Sequence, residues 1–400
     1  MNHSYPENKL LFLADFHVKA RTWTNNTQVR GDAYEAMKQI GDLAEEKGLD
    51  TLVIGGDFFD SNRPTPDDLV QTVDFLSRFK QVYYIRGNHD SCDPSYLESV
   101  SRILGVNNFV TQLNGQFVQL ANNSYLTGIS WMPSKEEYKH AVWSTLDYFK
   151  NEYPGKTLYL VLHTSFKHLL SFEGAYAFDV DEVAKWCKDS DVVLLVGDVH
   201  IRDTRQVAVY PNPNNTTGVL NNLGELIFHS PGSVYPLQFN DTETVKSVSV
   251  VYTGADQRIL RIAPLQVEVR KYATWHYTEA GSLKEYLTGC AELHRTAKEK
   301  GLVTLPTYIR IVVDTGVEPP HIIPSDYPEL VIQIQTEADD FDPGHAVDTA
   351  DGTYTLEQAI NDEFPDPDVA EIANQLVKSP DPAGDLQQYL ELWQVERTTM

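Results

Sequence analysis

Five short apolar runs occur in the first 200 residues, and each leads within a few residues into Asp, Asn or His. Uninterrupted apolar runs of this length are typical of strands buried on both faces of an α/β sheet, and ligands bind beyond the carboxyl ends of such strands. We therefore expect five strands that deliver polar side chains to one rim. The runs are residues 10–14 before Asp15 and His17, 52–54 before Asp57 and Asp60, 82–85 before Asn88, His89 and Asp90, 158–162 before His163, and 192–196 before Asp198 and His200.

Helical spacing separates the first three runs. Residues 32–48 are predicted to form a helix with Asp32 as N-cap and with Glu35 completing a capping box. A second helix is predicted over residues 65–78, with Thr65 as its N-cap. The order strand, helix, strand, helix, strand predicts parallel strands joined by right-handed crossovers.

Short β-like runs become frequent after residue 116 and predict a second sheet packed on the first. Residues 1–264 are accordingly predicted to form a layered α/β sandwich of two β-sheets flanked by helices. A smaller α+β domain is expected over residues 265–340, and an acidic linker with a helical tail over 341–400. The runs are 117–120, 125–129, 206–210, 226–228, 245–252 and 259–262 in the first domain, with strands at 265–272, 308–313 and 330–335 and a helix at 282–300 in the second.

Acidic residues are concentrated at the carboxyl end of the chain. The net charge is −25, and residues 315–400 contain 19 acidic and 2 basic residues, which leaves only −8 for residues 1–314. Such a surface is either solvated and solubilising or a docking surface for a basic partner. In the last predicted helix, Leu386, Leu390 and Trp393 share one face. That face either packs back on its own domain or binds a partner.

Membrane and disulfide-bonded classes are not favoured. No apolar stretch approaches the ~20 residues of a membrane-spanning helix, and the first residues lack a signal-peptide pattern, so we expect a soluble, cytoplasmic protein. The three cysteines are widely spaced and form no CxxC pair, which argues against a disulfide framework or a zinc finger.

The polar residues after the five runs have the chemistry of metal ligands. A single Asp or Asn after a strand is commonly a helix cap or a turn former, and a single His is commonly structural. Five such clusters converging on one rim are not explained in that way. Carboxylate, amide and imidazole groups are the ligands of hard and borderline divalent ions, so the pattern predicts a multi-ligand metal centre and a hydrolase.

Taken in order, these motifs resemble the signature of calcineurin-like metallophosphoesterases. The resemblance covers about residues 9–263. It implies two divalent ions bridged by one carboxylate, with Mn²⁺ as the expected metal and Mg²⁺ as the alternative. The motifs are Asp15-x-His17, Gly56-Asp57-x-x-Asp60, Gly87-Asn88-His89-Asp90, His163 and Gly197-Asp198-x-His200. By this resemblance one ion is held by Asp15, His17, Asp57 and His200, and the other by Asp57, Asn88, His163 and Asp198.

The same resemblance suggests roles for residues beside the ligands. His89 is the natural general acid for the leaving oxygen, since imidazole titrates near neutral pH. Asp90 either orients the ring of His89 or caps the turn, and Asp60 either supports the site or caps its loop. Family members usually have Gly-His-x-His in the last motif, whereas this chain has Asp198 at the first His position. A carboxylate there is harder and favours Mn²⁺ or Mg²⁺.

Further features resemble SbcD-type nuclease subunits. The second motif lacks the Asp-Arg-Gly continuation of protein serine/threonine phosphatases, and Ser230-Pro-Gly-Ser-Val-Tyr-Pro236 resembles the Pro-Gly-Ser loop of SbcD-type nucleases. The small second domain has the position of their DNA-capping domain. This resemblance implies a Mn²⁺-dependent double-strand exonuclease and single-strand endonuclease in DNA end processing, repair or recombination, a homodimer, and an SbcC-type coiled-coil ABC ATPase as partner at the acidic tail.

The sequence alone leaves several alternatives open. Arg202 and Arg205, just after the last motif, either contact a DNA phosphate or are exposed charges. A small-molecule phosphodiesterase or nucleotidase would use the same metal ligands without preferring DNA ends. A non-catalytic scaffold subunit would require the loss of a ligand, and only Asp198 departs from the pattern.

Overall fold

The computed structural model describes most of the first 336 residues. The predicted helical tail, including Leu386, Leu390 and Trp393, lies outside the described residues, and so does Cys187. The described ranges are 8–23, 26–105, 109–121, 123–169, 177–186, 191–208, 225–237, 245–253, 261–277, 283–301, 304–314 and 316–336.

Strands and α-helices alternate through much of the described part of the chain. The strands are β1 (Asn8–Leu13), β2 (Arg21–Trp23), β3 (Asn26–Arg30), β4 (Thr51–Gly55), β5 (Gln81–Ile85), β6 (Val110–Gln112), β7 (Val118–Ala121), β8 (Ser124–Ile129), β9 (Thr157–His163), β10 (Ser165–Phe166), β11 (Ala177–Phe178), β12 (Asp191–Gly197), β13 (Arg202–Ala208), β14 (Glu225–Pro231), β15 (Ser247–Thr253), β16 (Arg261–Gln266), β17 (Tyr272–Tyr277), β18 (Thr307–Val313) and β19 (Leu330–Thr336). The α-helices are α1 (Asp32–Lys47), α2 (Pro66–Leu76), α3 (Tyr96–Leu104), α4 (Lys135–Glu152), α5 (Val180–Trp186) and α6 (Leu283–Glu299).

Two six-stranded sheets form the sandwich that the sequence predicts. The first has the order β16-β15-β1-β4-β5-β6 and the second β13-β14-β12-β9-β8-β7. The strands from β1 to β6 in the first sheet are mutually parallel, as are β8, β9, β12 and β14 in the second. The predicted two-sheet fold is therefore confirmed, and all five apolar runs form strands within it.

The continuous apolar runs are explained by burial on both faces of each sheet. In β1, Leu11 and Leu13 pack toward helices α1 to α3, whereas Leu10 and Phe12 lie in the core between the sheets. The second sheet repeats this arrangement with α4 and α5 on its outer face. Because successive side chains of a strand point to opposite faces, a strand buried on both faces needs an apolar residue at every position.

The predicted N-cap of the first helix is wrong. Helix α1 begins at Asp32 itself, its N-cap residue is Gly31 with φ 85°, and no side chain caps it. The carboxylate of Asp32 instead accepts hydrogen bonds from Arg270 (Nε to Oδ1, 3.0 Å) and from the hydroxyl of Thr22. A buried cation distant in sequence therefore binds the carboxylate that local pattern assigned to capping.

The second helix begins as predicted. The hydroxyl of Thr65 accepts a hydrogen bond from the backbone N–H of Asp68, and the Asp68 carboxylate accepts one from the N–H of Thr65. This reciprocal pair is a capping box. The helix ends at Leu76, two residues before the predicted end at Arg78.

The chain leaves the sandwich later than expected and enters a small parallel sheet. The predicted strand over 265–272 is wrong, because its first residues belong to β16, paired antiparallel with β15, and its last begins β17. The small sheet has the order β17-β18-β19, with all strands parallel and α6 as the crossover helix. The predicted domain boundary at 264 falls inside β16 and stays a prediction.

A buried ion pair joins the small domain to the sandwich. The side chains of Arg270 and Asp32 are both almost fully buried, and the arginine also donates to the backbone oxygens of Pro306 and Arg30, each at 2.7 Å. One side chain thus holds α1, the strand before it and the start of β18 together.

We expect Arg270→Met to lower the free energy of unfolding by about 3–5 kcal/mol, because it leaves the Asp32 carboxylate buried without its cation. Chemical denaturation measures the loss. The matched control is Lys271→Met, which removes an exposed pair with Glu268 and should cost less than about 1 kcal/mol. Equal losses in the two variants would contradict the role assigned to the buried pair.

Candidate metal centre

The carboxyl ends of strands from both sheets meet at one end of the sandwich. The sequence predicted a single rim, but β1, β4 and β5 belong to one sheet and β9 and β12 to the other. The loops after β1 and β4 run side by side, with Asp15 N donating to Gly56 O (3.2 Å) and His17 N donating to Asp57 O (2.9 Å). The candidate site therefore lies between two sheets.

Four of the predicted ligands have a left-handed backbone conformation. Asp15, His17 and Asp57 have φ near 50°, and Asp198 has φ 103°. Among the described residues other than glycine, only Asn114 shares a positive φ. Such conformations are uncommon for residues with a Cβ and cost roughly 1–3 kcal/mol each, and they cluster where function requires a fixed geometry. The strained backbone positions are therefore among the residues that the sequence motifs predict as metal ligands.

A first group of donor atoms surrounds His17. Its Nε2 lies 3.2 Å from Nε2 of His200 and 3.6 Å from Oδ2 of Asp57. Donor atoms of Asp15, His17 and His200 all lie within 4.8 Å of one another. These four side chains are the predicted ligands of one ion.

A second group surrounds His163. Its Nε2 lies 3.2 Å from Oδ2 of Asp57, 3.1 Å from Oδ1 of Asn88 and 3.9 Å from Oδ1 of Asp198. These are the predicted ligands of the other ion. Asp57 Oδ2 thus lies within 3.6 Å of a donor nitrogen in each group, which is the position that a bridging carboxylate requires.

The residues present fit divalent cations. Two donors that share an ion at ~2.0–2.2 Å are expected to lie about 3.0–3.4 Å apart, close to most of the separations in the two groups. Burial raises the pKa of Asp15 to about 6, although His163 and His17 oppose the rise. Buried carboxylates that crowd together need positive charge nearby, and a bound divalent ion would supply it.

His163 and Asp57 form the strongest pair within the cluster. Burial alone would lower the pKa of His163, but the hydrogen bond to Asp57 and the nearby carboxylates outweigh it and raise the pKa to about 10. Burial likewise opposes ionisation of Asp57, yet His163 and His17 lower its pKa to about 2. The electrostatics therefore keep Asp57 an anion, as a bridging ligand must be.

The ring of His163 is fixed by contacts on its far side. Its Nδ1 lies 2.9 Å from the backbone oxygen of Gly55, and its backbone N–H donates to the hydroxyl of Tyr138 at 3.2 Å. A backbone partner on one ring nitrogen selects the tautomer that leaves the other for a metal. Gly56 makes room for this ring, because a Cβ there would lie 2.4 Å from Nδ1.

Gly87 is required by the bridging carboxylate. A Cβ at this position would lie 2.0 Å from Oδ1 of Asp57, which no side chain could tolerate. The same Oδ1 accepts a hydrogen bond from the backbone N–H of His89 at 2.9 Å. The Gly-Asn-His-Asp turn therefore packs directly against Asp57.

His89 is exposed at the edge of the cluster. Its Nδ1 lies 2.8 Å from the backbone oxygen of Asp60, and its ring meets that of His17 edge to face at 4.7 Å. With Nδ1 engaged by a carbonyl, Nε2 is the nitrogen that can carry a proton to a substrate.

Asp90 does not orient the ring of His89, so the first of its two predicted roles is wrong. Its buried carboxylate accepts hydrogen bonds from the backbone N–H groups of Gly87 (2.8 Å), Phe58 (2.8 Å) and Phe59 (3.4 Å). Burial and the charge of Asp57 raise its pKa. The contacts support the turn-capping alternative, since they tie the loops after β4 and β5 together.

Asp60 supports His17. One carboxylate oxygen lies 3.3 Å from Nδ1 of His17 and 2.9 Å from Nζ of Lys19. Burial opposes ionisation, but the bond to His17 and the charge of Lys19 lower the pKa of Asp60 to about 2. An anion on Nδ1 orients the imidazole, so that Nε2 faces the first group.

Sequence reasoning missed residues that position the ligands from behind. The hydroxyl of Tyr235 donates to the backbone oxygen of His17 at 2.6 Å, and the hydroxyl of Ser165 donates to the carboxylate of Asp198. Ser165 lies in none of the predicted motifs, and Tyr235 lies in the Ser230–Pro236 segment but had no predicted role. Their contacts depend on the three-dimensional fold, because the partners are distant in sequence and form no local motif.

The Ser230–Ser233 loop holds the segment that carries His200. Ser233 N donates to His200 O at 3.4 Å, and the hydroxyl of Ser230 donates to Ile201 O at 2.8 Å. The buried Nζ of Lys246 donates to the Ser233 hydroxyl at 2.8 Å. The sequence feature that indicates this contact is Lys246, which directly precedes the apolar strand β15. A lysine buried there needs a polar partner such as Ser233.

The two arginines after the last motif are both exposed and engaged. Arg202 donates to the hydroxyl of Ser247 at 2.8 Å, and Arg205 donates to the carboxylate of Asp203 at 2.6 Å. Contact of either with a phosphate stays a prediction.

We expect Asp198→Ala to weaken one Mn²⁺ site by at least roughly ten- to hundredfold and to leave the other unchanged, since even partners outside the ligand set have effects of that size. Titration calorimetry with Mn²⁺ measures both sites. Asp198→His restores the usual family residue and should retain two sites, while Asp203→Ala is the control on a neighbouring carboxylate. Two undiminished sites in Asp198→Ala would remove this residue from the ligand set.

Comparison with known proteins finds a family match over the segment that contains the candidate ligands. The profile of the calcineurin-like phosphoesterase family matches residues 9–202. The chain is similar to the DNA double-strand break repair protein Mre11 of Methanosarcina acetivorans, with 29% identity over 32% of this chain and 21% of that protein. The corresponding protein of Saccharolobus solfataricus is 24% identical over 44% of this chain and 46% of its own length. The matches thus span less than half of either relative.

Among solved structures, a dimetal phosphatase from Danio rerio aligns with 65% of this chain and 96% of its own, at 11% identity and a TM-score of 0.43.

Within the described residues, no helix combines the length and the apolar character needed to cross a membrane.

Proposed function

Because the chain carries a calcineurin-like phosphoesterase domain over residues 9–202, we propose that it is a metal-dependent DNA nuclease that hydrolyses phosphodiesters with two divalent ions. The observation that carries the proposal is the shared carboxylate: Asp57 Oδ2 lies within 3.6 Å of His17 Nε2 and 3.2 Å of His163 Nε2. Two donor groups that share one oxygen are the protein side of a two-metal hydrolytic site.

The chain's own residues would divide the work between binding the ions and moving a proton. The first ion is assigned to Asp15, His17, Asp57 and His200, and the second to Asp57, Asn88, His163 and Asp198. When bound, the ions supply an activated water nucleophile and neutralise charge on the phosphoryl group. His89 donates a proton from Nε2 to the leaving oxygen, and the carbonyl of Asp60 holds its ring through Nδ1.

DNA is proposed as the substrate on two grounds. The curated relatives are named as DNA double-strand break repair proteins. The Ser230–Ser233 loop, which resembles a loop of SbcD-type nucleases, packs against the segment of His200 beside the site. The proposed activities are exonuclease on double-stranded ends and endonuclease on single strands, with Mn²⁺ as the metal.

The negative net charge of the chain is unfavourable for DNA binding by this chain alone. DNA affinity rests largely on phosphate neutralisation by Lys and Arg, and this chain has a net charge of −25. We therefore propose that a partner, an SbcC-type coiled-coil ABC ATPase, supplies much of the DNA affinity, with the acidic tail as its contact and a homodimer as the assembled state.

The test is degradation of end-labelled linear duplex DNA in Mn²⁺, with and without the ATPase partner, alongside covalently closed duplex and single-stranded circles. We expect loss of the linear duplex and nicking of the single-stranded circle, both abolished by a chelator. Turnover of nucleotide esters without any DNA cleavage would favour a small-molecule phosphodiesterase. Absence of turnover on every substrate would favour the scaffold subunit.

A further inference from the structure

The segment that follows β8 lies directly beside the second donor group. The backbone N–H of Trp131 donates to Arg86 O at 2.9 Å, and the hydroxyl of Ser130 accepts from Arg86 N at 3.1 Å. Arg86 immediately precedes the Gly-Asn-His-Asp turn. These two bonds hold the backbone of residues 130–131 beside the strand that leads to Asn88, and Trp131 contributes to the lining of a cleft at the site.

A cleft of about 320 Å³ opens between this segment and the donor atoms. Its lining includes Asn88, His163 and Asp198 of the second group and also the apolar residues Trp131, Met132 and Pro133, which we call the Trp131 wall. The volume is within the range of small-molecule sites, which are mostly apolar with a few placed polar groups. Met132 also packs against the core of the second sheet. An indole has no part in binding an ion or a phosphate, so Trp131 needs another explanation.

On the basis of the proposed function, we propose that the Trp131 wall is a subsite for a nucleobase, stacked on the indole beside the phosphate undergoing hydrolysis. A base is the planar, weakly polar part of a nucleotide, and stacking on aromatic side chains is the usual way that proteins hold it without regard to sequence. His89 is not among the described residues that line the cleft. Because His89 is the proposed proton donor to the leaving oxygen, the leaving group is expected outside this cleft. We therefore assign the stacked base to the nucleoside that keeps the phosphate.

The subsite makes the enzyme discriminate between phosphoesters with and without a base. Every base has a π-face, so the preference among the four bases should be small. A simple alkyl phosphodiester would reach the ions but gain nothing from Trp131. This distinction separates a nuclease or nucleotide esterase from a phosphatase that acts on the phosphate alone.

The test compares thymidine 5′-(4-nitrophenyl phosphate) and its 3′ isomer with methyl 4-nitrophenyl phosphate in Mn²⁺. Trp131→Ala should lower kcat/KM for at least one nucleoside ester by roughly 5- to 150-fold, the range of base stacking, and change the methyl ester less than twofold. Trp131→Phe keeps an aromatic face and should retain most of the activity. Tyr148→Ala, which removes an exposed aromatic ring on α4, is the matched control and should change nothing.

A binding measurement accompanies the kinetics. Calorimetry with the dinucleotide pTpT should show a loss of affinity in Trp131→Ala that Trp131→Phe restores, with circular dichroism verifying that both variants are folded. Equal effects on nucleoside and methyl esters, or none on either, would overturn the subsite while leaving the nuclease proposal intact. If the wild type cleaves neither these esters nor DNA, the proposed function fails, and the binding of pTpT alone decides the subsite.

Discussion

Asp57→Asn is expected to lower hydrolysis by at least roughly a thousandfold and to weaken both metal sites together. A bound ion contributes several kcal/mol of transition-state stabilisation, and about 4 kcal/mol corresponds to that factor. Asp57 is the residue whose loss should affect both ions, because its Oδ2 lies between His17 and His163. Asparagine is the sharpest replacement, since it tolerates the left-handed backbone at φ 48° and can still accept the hydrogen bond from His89 N.

Mn²⁺ calorimetry and the hydrolysis rate should be measured on the same preparation. Asp203→Asn, a change of the same chemistry on a carboxylate outside both groups, should leave two sites and the wild-type rate. The comparison with Asp198→Ala is informative, because that variant should weaken one site only. Two sites of wild-type affinity in Asp57→Asn would contradict the bridging position.

The strands and their polar ends could be predicted because both rest on local pattern. A strand buried on both faces must be apolar at every position, and the residue after it must be the one at the rim. The division of these strands between two sheets could not be predicted in the same way. The strands β9 and β12 have the same apolar pattern as β1 and β4, and which strand pairs with which depends on contacts distant in sequence.

The partners of buried charged residues are also difficult to predict from local sequence. Asp32, in position to cap α1, binds Arg270 instead, a partner 238 residues away. Asp90, beside the proposed acid in sequence, turns to the backbone of Phe58 and Phe59. For each residue, the alternative is a buried carboxylate without a partner, and for Asp32 this would cost more than the missing cap. Local spacing predicted the Thr65 cap of α2 correctly, but it does not reveal partners that are distant in sequence.

His89→Gln is expected to lower kcat by roughly 10²- to 10⁴-fold on substrates with an alkoxide leaving group, which is the contribution of a positioned proton donor. Glutamine is uncharged and cannot deliver a proton to the leaving oxygen. The residue contacts the centre through its backbone N–H to Asp57 and through its ring beside His17, and the first of these survives the substitution. Metal affinity should therefore change little.

The leaving group separates proton donation from other roles. A 4-nitrophenolate leaves without a proton, so His89→Gln should cut DNA and dinucleotide hydrolysis severely but affect a 4-nitrophenyl ester far less. His140→Gln, on the exposed face of α4, is the matched control and should match the wild type on both substrates. His89 also lies within 4.8 Å of donor atoms of His17 and Asp57, so it could serve as a ligand instead. Equal losses on both substrates together with weaker Mn²⁺ binding would assign it that role and refute the general acid.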